Sequence, residues 1–379
     1  MARSFFCPRC LDRVTAKDVT YRNRAGEVVA RASSPYDRGA RHWLSAVWQG
    51  QPDPLYAVDL RSRAAHDGDE VHPVCADGHR IPASAFELDS VVVGLVGEVS
   101  AGKTVYLGTL LDELSRGRLL PWIDLELDER GEELREMTFG PFYANGSQPF
   151  QTAENQQNAG REGFMLLGRS DTFDEFHLTV FDTSGGQSRV ADAGRHNQYF
   201  YVSDVLVFVV TPEALGLPRR QAARRPDQRQ TWSVTSSVVQ AALRVRRERP
   251  GHAAVIVTKS DDIDPDRLDL LHDARDNLAY GGGLSLLRAI QVLQQDSSYV
   301  RSFLHSFENG RTLSERIENG GFESVSYHLV SATGGPVDPA TARFAHRNPQ
   351  RVLDPLLLSL HQLGRFPADR MHRNGRAVR

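Results

Sequence analysis

Eight consecutive residues, Gly97-Glu98-Val99-Ser100-Ala101-Gly102-Lys103-Thr104, carry the clearest chemistry in this chain. They fit the pattern G-x-x-x-x-G-K-[ST] in full. Glycines let a backbone curl until its N–H groups point at phosphate oxygens, and a helix starting there adds partial positive charge. In such a loop Lys103 reaches the β- and γ-phosphates of a nucleoside triphosphate, and the Thr104 hydroxyl ligates Mg²⁺. Gly97, Ser100, Ala101, Gly102, Lys103, Thr104 and Val105 are therefore the candidate phosphate-binding residues. The context is the required one: the apolar run Val91–Val96 precedes the loop, and Val105-Tyr106-Leu107 opens a helix.

Further along, the apolar run Phe176–Phe181 ends in Asp182-Thr183-Ser184-Gly185. A carboxylate at a strand's C-terminal end beside a phosphate loop holds Mg²⁺, usually through water. Gly185 lets the following backbone swing towards a γ-phosphate, so that the loop senses whether this phosphate is present. Asp-Thr-Ser-Gly is also ordinary turn chemistry; its place after the phosphate loop gives it weight.

A third motif, Thr258-Lys259-Ser260-Asp261, follows the buried-looking run Ala253–Val257. The Asp261 carboxylate can accept two hydrogen bonds, from the N1–H and exocyclic amine of guanine; adenine lacks that donor pair. The stem of Lys259 can lie across the purine face. Ser331-Ala332-Thr333 ends the last apolar run, where backbone N–H groups of Ser331 and Ala332 can meet the guanine O6. Each short motif is weak alone, and their order along the chain is the stronger signal. Lysine occurs three times in the chain, as Lys17, Lys103 and Lys259, against 42 arginines. Two of the three fall in these motifs, where a compact point charge does what a planar guanidinium cannot.

Cys7-Pro8-Arg9-Cys10 has knuckle spacing, and Cys75-Ala76-Asp77-Gly78-His79 can supply the other half of a tetrahedral Zn²⁺ site. His72 or His66 can replace His79, and three unrelated thiols are the plainer alternative. A closed four-ligand site would be structural, since no ligand position is left for water.

The elements that must position these residues alternate. Strands are expected at Val91–Val96, Phe164–Leu167, Phe176–Phe181, Val205–Val210, Ala253–Val257 and Val325–Val330. Helices are expected at 103–116, 128–138, 231–248, 266–279, 284–307 and 351–364. Continuous apolar strands between helices predict an α/β domain with a mainly parallel sheet covered on both faces. The face Leu353, Leu356, Leu357, Leu360, Leu363 reads as core. Residues 140–161 and the arginine-rich 212–230 read as long loops. The expected organisation is a small β-rich module at 1–88, an α/β domain with insertions at 89–365, and an arginine-rich tail at 366–379.

Composition narrows the classes. The chain has 379 residues, a net charge of −3 and a pI near 6.5, against nucleic-acid binding by bulk charge. A local basic patch in the N-terminal module stays open. No apolar run approaches the roughly 18 residues of a membrane span, and the N-terminus lacks a stretch of signal-peptide length. Three cysteines are too few for a disulfide scaffold, and the expected location is the cytoplasm.

On GEVSAGKT (97–104), DTSG (182–185), TKSD (258–261) and SAT (331–333), residues 89–365 resemble a Ras-like P-loop GTPase of the translation-factor-related (TRAFAC) class. Large bacterial GTPases with an N-terminal zinc-ribbon-like module resemble the whole arrangement. The resemblance implies GTP and GDP binding, Mg²⁺, slow hydrolysis, switch loops and a protein effector or activating partner. It makes Lys103, Asp182, Gly185 and Gln187 the candidate catalytic residues. It also implies a switch threonine completing the Mg²⁺ shell, with Thr152 the candidate and Thr138 or Thr172 competing. Thr258 stands in place of the commoner Asn. Gly186 stands where many small GTPases carry a water-orienting glutamine, and Gln187 comes one residue later. Arg189 and Arg195 are finger candidates. Two rivals stand beside this: a non-hydrolysing GTP-binding scaffold, and an ATP-dependent P-loop enzyme in which TKSD is coincidental.

Overall fold

The computed structural model describes residues 4–10, 12–15, 19–22, 26, 28–31, 72–82, 84–86, 88–98, 100–119, 122–136, 140, 163–170, 174–181, 198–218, 228–244, 251–264, 285–335, 337–338, 340–341, 343–344 and 348–365. The expected helix 266–279, the tail 366–379 and residues 141–161 and 219–227 of the two expected loops lie outside them. The chain divides into two compact units, Met1–Ser90 and Val91–Arg379.

The first unit is built from very short strands. Strands β1 (Ser4–Phe6) and β2 (Arg13–Thr15) form an antiparallel pair. Strand β3 (Thr20–Arg22) lies between β4 (Val28–Arg31) and β5 (His72–Val74), antiparallel to both. Its buried apolar residues include Phe5, Val14, Val19, Val74, Ile81 and Ala85, a small core for an independent unit.

The second unit is organised by a seven-stranded sheet. Its strands are β6 (Asp89–Gly97), β7 (Asp124–Leu127), β8 (Phe164–Arg169), β9 (Phe176–Phe181), β10 (Val205–Val210), β11 (His252–Val257) and β12 (Ser324–Leu329), in the order β12-β11-β10-β6-β9-β8-β7. The pairs β6–β10, β10–β11 and β11–β12 are parallel, while β7–β8 and β8–β9 are antiparallel. Every residue of β10 and β11 is buried, as continuous apolar strands require when both faces are covered.

Helices α1 (Lys103–Ser115), α6 (Leu286–His305) and α8 (Asp354–Gln362) share one core with the sheet. Tyr106, Leu107, Leu110, Ile290, Leu293, Leu356 and Leu357 pack there with alternate strand residues such as Val93, Leu95, Val207, Val209 and Ile256. The expected leucine face of 351–364 is thus core, with Leu353 and Leu360 in the same cluster and Leu363 packed against it. On the opposite face Phe208 meets Phe322 edge-on at 6.0 Å.

The remaining helices are α2 (Glu129–Leu134), α3 (Gln198–Val202), α4 (Pro212–Leu215), α5 (Gln228–Arg244) and α7 (Glu308–Glu318). Differences from the expected elements have local causes. Strand β7, Asp-Leu-Glu-Leu, alternates acidic with apolar residues at a sheet edge, so it lacks the continuous apolar signature. Helix α7 was not expected because its buried face is Gly310, Leu313, Ser314 and Ile317. A methyl on Gly310 would sit 2.4 Å from the Leu304 carbonyl oxygen, so close approach replaces bulk there.

Strand β6 is the place where the chain reverses its direction of winding. β9 follows on one side of it and β10 on the other. In open α/β sheets ligands bind outside the strands' carboxyl ends at such a point. The phosphate-loop motif begins with the last residue of β6.

Candidate functional site

The loop after β6 takes its shape from its own backbone. A methyl on Gly97 would stand 2.4 Å from the Val209 carbonyl oxygen, so only glycine lets β10 come this close. Gly102 has φ of 89° and Ser100 a φ of 64°, left-handed values that turn the chain back towards the sheet. The Lys103 ammonium is buried and donates to the carbonyls of Gly97 at 2.9 Å and Glu98 at 2.8 Å. It is held inside the curl of the loop, where a phosphate would meet it. Helix α1 starts on Gly102 with no side-chain cap and no acidic residue in its first turn. Its first-turn N–H groups and helix dipole favour an anion at that end. Thr104 and Val105 in that turn are half-buried.

The motif after β11 is tied directly to this loop. The Thr258 hydroxyl donates to the Ala101 carbonyl at 2.6 Å, with the Val210 carbonyl also in reach at 3.1 Å. Thr258 thereby joins the phosphate loop to the ends of β10 and β11, a job that a hydroxyl does as well as an amide. Lys259, at φ of 52°, sends its ammonium to the Ser100 carbonyl at 3.3 Å, so its stem spans from one motif to the other. Asp261 lies in a single 3₁₀ turn, Ser260–Asp262, anchored by the Ser260 N–H on the Val330 carbonyl at 3.2 Å.

Ser331 closes the arrangement: its hydroxyl donates to Asp261 Oδ1 and accepts from the Gly334 N–H at 2.8 Å. One carboxylate oxygen is thus fixed by a side chain, while the Ser331 N–H, expected to meet guanine O6, is engaged by the Gln350 carbonyl at 3.1 Å and leaves that role to Ala332. The structure therefore brings together Gly97, Ser100, Ala101, Gly102, Lys103, Thr104, Val105, Thr258, Lys259, Asp261, Ser331 and Ala332 at the carboxyl ends of β6, β11 and β12. Asp182, Gly185, Gly186, Gln187, Arg189, Arg195, Thr138, Thr152 and Thr172 lie outside the described residues.

Sequence reasoning missed three participants. Glu98, a variable position of the motif, is buried with its carboxylate 3.5 Å from the Thr211 hydroxyl. Burial pushes this carboxyl above its ordinary range, with the hydroxyls of Thr235 and Thr211 acting against that. Thr109 of α1 sends its hydroxyl towards the Ala332 carbonyl at 3.1 Å, linking the phosphate helix to the last motif. Gln350 pairs with Ser331 in an isolated bridge. Only Glu98 had a sequence signal: a carboxylate in a loop meant for anions.

In the first unit, Cys7, Cys10, Cys75 and His79 converge, with all four ligand atoms within 4.8 Å of one another. Cys10 Sγ and Cys75 Sγ are 3.7 Å apart, and His79 Nδ1 lies 3.7 Å from Cys7 Sγ and 3.4 Å from Cys75 Sγ. A tetrahedral ion with sulfur bonds near 2.3 Å has S···S edges of about 3.8 Å, so these spacings fit zinc. Each half is a tight turn: the Cys7 N–H bonds the Asp12 carbonyl, and the Cys75 N–H bonds the His79 carbonyl, with Gly78 at φ of 82°. Burial pushes the Cys7 and Cys10 thiols up, nearby backbone N–H groups act against it, and the charge of Cys75 adds to it for both. Three thiolates here need a cation among them. His72 is in β5 and outside the cluster, and His66 lies outside the described residues.

No curated protein matches the sequence. Residues 91–290, more than half of the chain, match the family described as Double-GTPase 2. The matched span contains all but the first two residues of β6, the phosphate loop, β7 to β11 and the Thr258–Asp261 motif. With its mostly parallel seven-stranded sheet and a phosphate loop at the switch point, the chain belongs to the Double-GTPase 2 family of P-loop GTPase-related proteins.

Proposed function

We propose that this chain is a Mg²⁺-dependent GTP-binding switch of the TRAFAC class that hydrolyses GTP to GDP slowly until a partner assists. The observation that carries this reading is the Asp261 carboxylate, fixed by Ser331 and joined through Thr258 and Lys259 to the loop that holds Lys103. That geometry pairs a guanine reader with a triphosphate cradle. Thr104 and Asp182, with Thr152, would hold Mg²⁺, which supplies charge neutralisation between the β- and γ-phosphates. Lys103 binds the same oxygens, Gly185 begins the loop that senses them, and Gln187 is the candidate for orienting the attacking water.

The four-ligand cluster fits a structural Zn²⁺ held by Cys7, Cys10, Cys75 and His79, which would cross-link the short strands of a zinc-ribbon-like module at 1–88. Residues 89–365 are then the GTPase domain and 366–379 an arginine-rich tail. The family's description speaks of a double GTPase, whereas this sequence holds one phosphate-loop motif. A second GTPase domain is therefore the activating partner we expect. Among the described residues no helix is long and apolar enough to cross a membrane. Thiols gathered as ligands suit a reducing compartment, so the cytoplasm is the expected location.

Titration with GTP, GDP and ATP, with zinc analysis of the same sample, tests both modules together. GTP and GDP binding far tighter than ATP binding, and one zinc per chain, are the expected results. Gly186 beside Gly185 favours a second reading, a GTP-binding scaffold without hydrolysis. Single-turnover hydrolysis indistinguishable from buffer, with and without cell extract, would select it.

A further inference from the structure

The guanine-reading motif is held from behind by a segment far along the chain. Gln350 and Ser331 exchange both backbone hydrogen bonds, at 3.1 and 2.8 Å, and the Asn348 N–H donates to the Thr333 carbonyl at 3.0 Å. Residues 348–350 thus run against 331–333 as a short return strand. The next residue, Arg351, is almost fully buried at 3% exposure and adopts φ of 61°. A side chain makes that conformation unfavourable, so something must hold it.

Two carboxylates hold it. Arg351 Nη2 bonds Asp296 of α6, and Arg351 Nε bonds Asp354, the first residue of α8. Asp296 and Asp354 are themselves 6% and 1% exposed. One guanidinium fork therefore joins two helices and the return strand at a single buried point. Replacing such a triad by apolar side chains is often neutral for stability, so what the triad supplies here is a position. The position is specific. From Arg351 the backbone passes to Gln350, from Gln350 to Ser331, and from the Ser331 hydroxyl to Asp261 Oδ1.

We propose that Arg351 is a positioning residue for base selection: clamped by Asp296 and Asp354, it sets the return strand that fixes Ser331 and, through it, the Asp261 carboxylate. This rests on the reading that Asp261 recognises guanine. Inosine lacks the exocyclic amine of guanine, so the ratio of ITP to GTP dissociation constants reports how well the carboxylate is aimed. ATP binding, which does not use Asp261, reports the phosphate end alone.

The test measures binding of GTP, ITP and ATP, with Mg²⁺, to the full chain and two variants. Arg351→Lys keeps a buried charge but cannot fork to two carboxylates. Asp296→Asn keeps the side-chain shape but takes one of the two carboxylates away from the guanidinium. The unaltered protein should show an ITP/GTP ratio of about tenfold or more, and both variants a ratio near two- to threefold, with ATP binding changed less than about twofold. Equal loss for all three nucleotides, or an unchanged ITP/GTP ratio in folded variants, overturns the proposal. If Arg351→Lys does not fold, Asp296→Asn decides by the same ratio. A ratio near one in the unaltered protein instead overturns the guanine reading itself, and the proposal with it.

Discussion

The phosphate loop and the cysteine cluster solve the same problem, holding polar groups ready for a charged ligand, by opposite means. Around Lys103 the shape comes from backbone: two glycines, a left-handed Ser100, and a close approach to β10 backed by fully buried strands. Around Cys7, Cys10, Cys75 and His79 it comes from side chains hung on strands of three or four residues over a small core. A site whose frame is an apolar sheet should survive loss of its ligand. A site that is itself the main cross-link of its unit should not.

The strongest way to break that contrast is to remove the zinc proposed for the cysteine cluster. Structural zinc contributes on the order of 10 kcal/mol in small zinc-dependent units, far beyond what the first unit's core replaces. A strong chelator, or Cys75→Ser, should unfold residues 1–88, read as loss of amide protection there. GTP affinity of the second unit should stay within about twofold, because its frame is a buried apolar sheet and no metal-ligand cluster is found among its described residues. Retained protection in zinc-free protein would end the distinction.

On the other side, Lys103→Arg should weaken triphosphate binding by about 100-fold, near 3 kcal/mol, while leaving the thermal midpoint of the second unit unchanged. The compact ammonium donates to both the Gly97 and Glu98 carbonyls and presents a point charge to the phosphates, which a planar guanidinium does not reproduce. Lys17→Arg should be silent in the same titration.

Acid offers a third separation. In the second unit His252 is buried between the hydroxyls of Ser324 and Ser326, at 2.8 and 2.9 Å. Burial lowers its pKa from the ordinary 6.5 to about 4. The unfolded chain takes up this proton as pH falls through 6.5 and the folded chain does not until about 4. The stability contributed by neutral His252 is therefore full above 6.5 and is lost between 6.5 and 4, by about 1.4 kcal/mol per pH unit and about 3 kcal/mol in all, while the buried Asp354 carboxyl, pushed up by burial, acts in the opposite sense. Burial pushes His328 down as well, which adds to the slope. Denaturant titrations of chelator-treated protein at pH 7, 5.5 and 4.5 should show the fall, and His252→Asn should flatten it. The smallest expected effect is Thr258→Val, which removes the hydroxyl that joins the motif to the Ala101 carbonyl. About 1 kcal/mol, or roughly fivefold in GTP affinity, is the expected loss.

How much of this was legible in sequence follows from the same contrast. The phosphate loop was readable because backbone chemistry leaves no choice of residue at Gly97, Gly102 and Lys103. Strands β10 and β11 were readable because burial on both faces demands unbroken apolar residues. The polar His252, first residue of β11, hid that strand's start because serines of β12 satisfy it. Strand β7 and helix α7 were hidden by acidic alternation and by packing through Gly310 and Ser314. Gln350 and Arg351 gave no signal at all. Their meaning depends on pairing with Ser331 and on carboxylates in two helices, contacts that no local pattern encodes. The ligand set of the cysteine site stayed open between His79, His72 and His66 until geometry placed His79 beside the three sulfurs.

The central claim is that Asp261, and not the phosphate loop, decides which nucleotide this chain holds. It is tested most directly by titrating the protein and its Asp261→Asn variant with GTP and ATP under identical Mg²⁺. A preference for GTP of at least about 100-fold, collapsing in Asp261→Asn while ATP affinity is kept, is the predicted result. Equal affinity for ATP and GTP, or a preference that Asp261→Asn leaves unchanged, would contradict it.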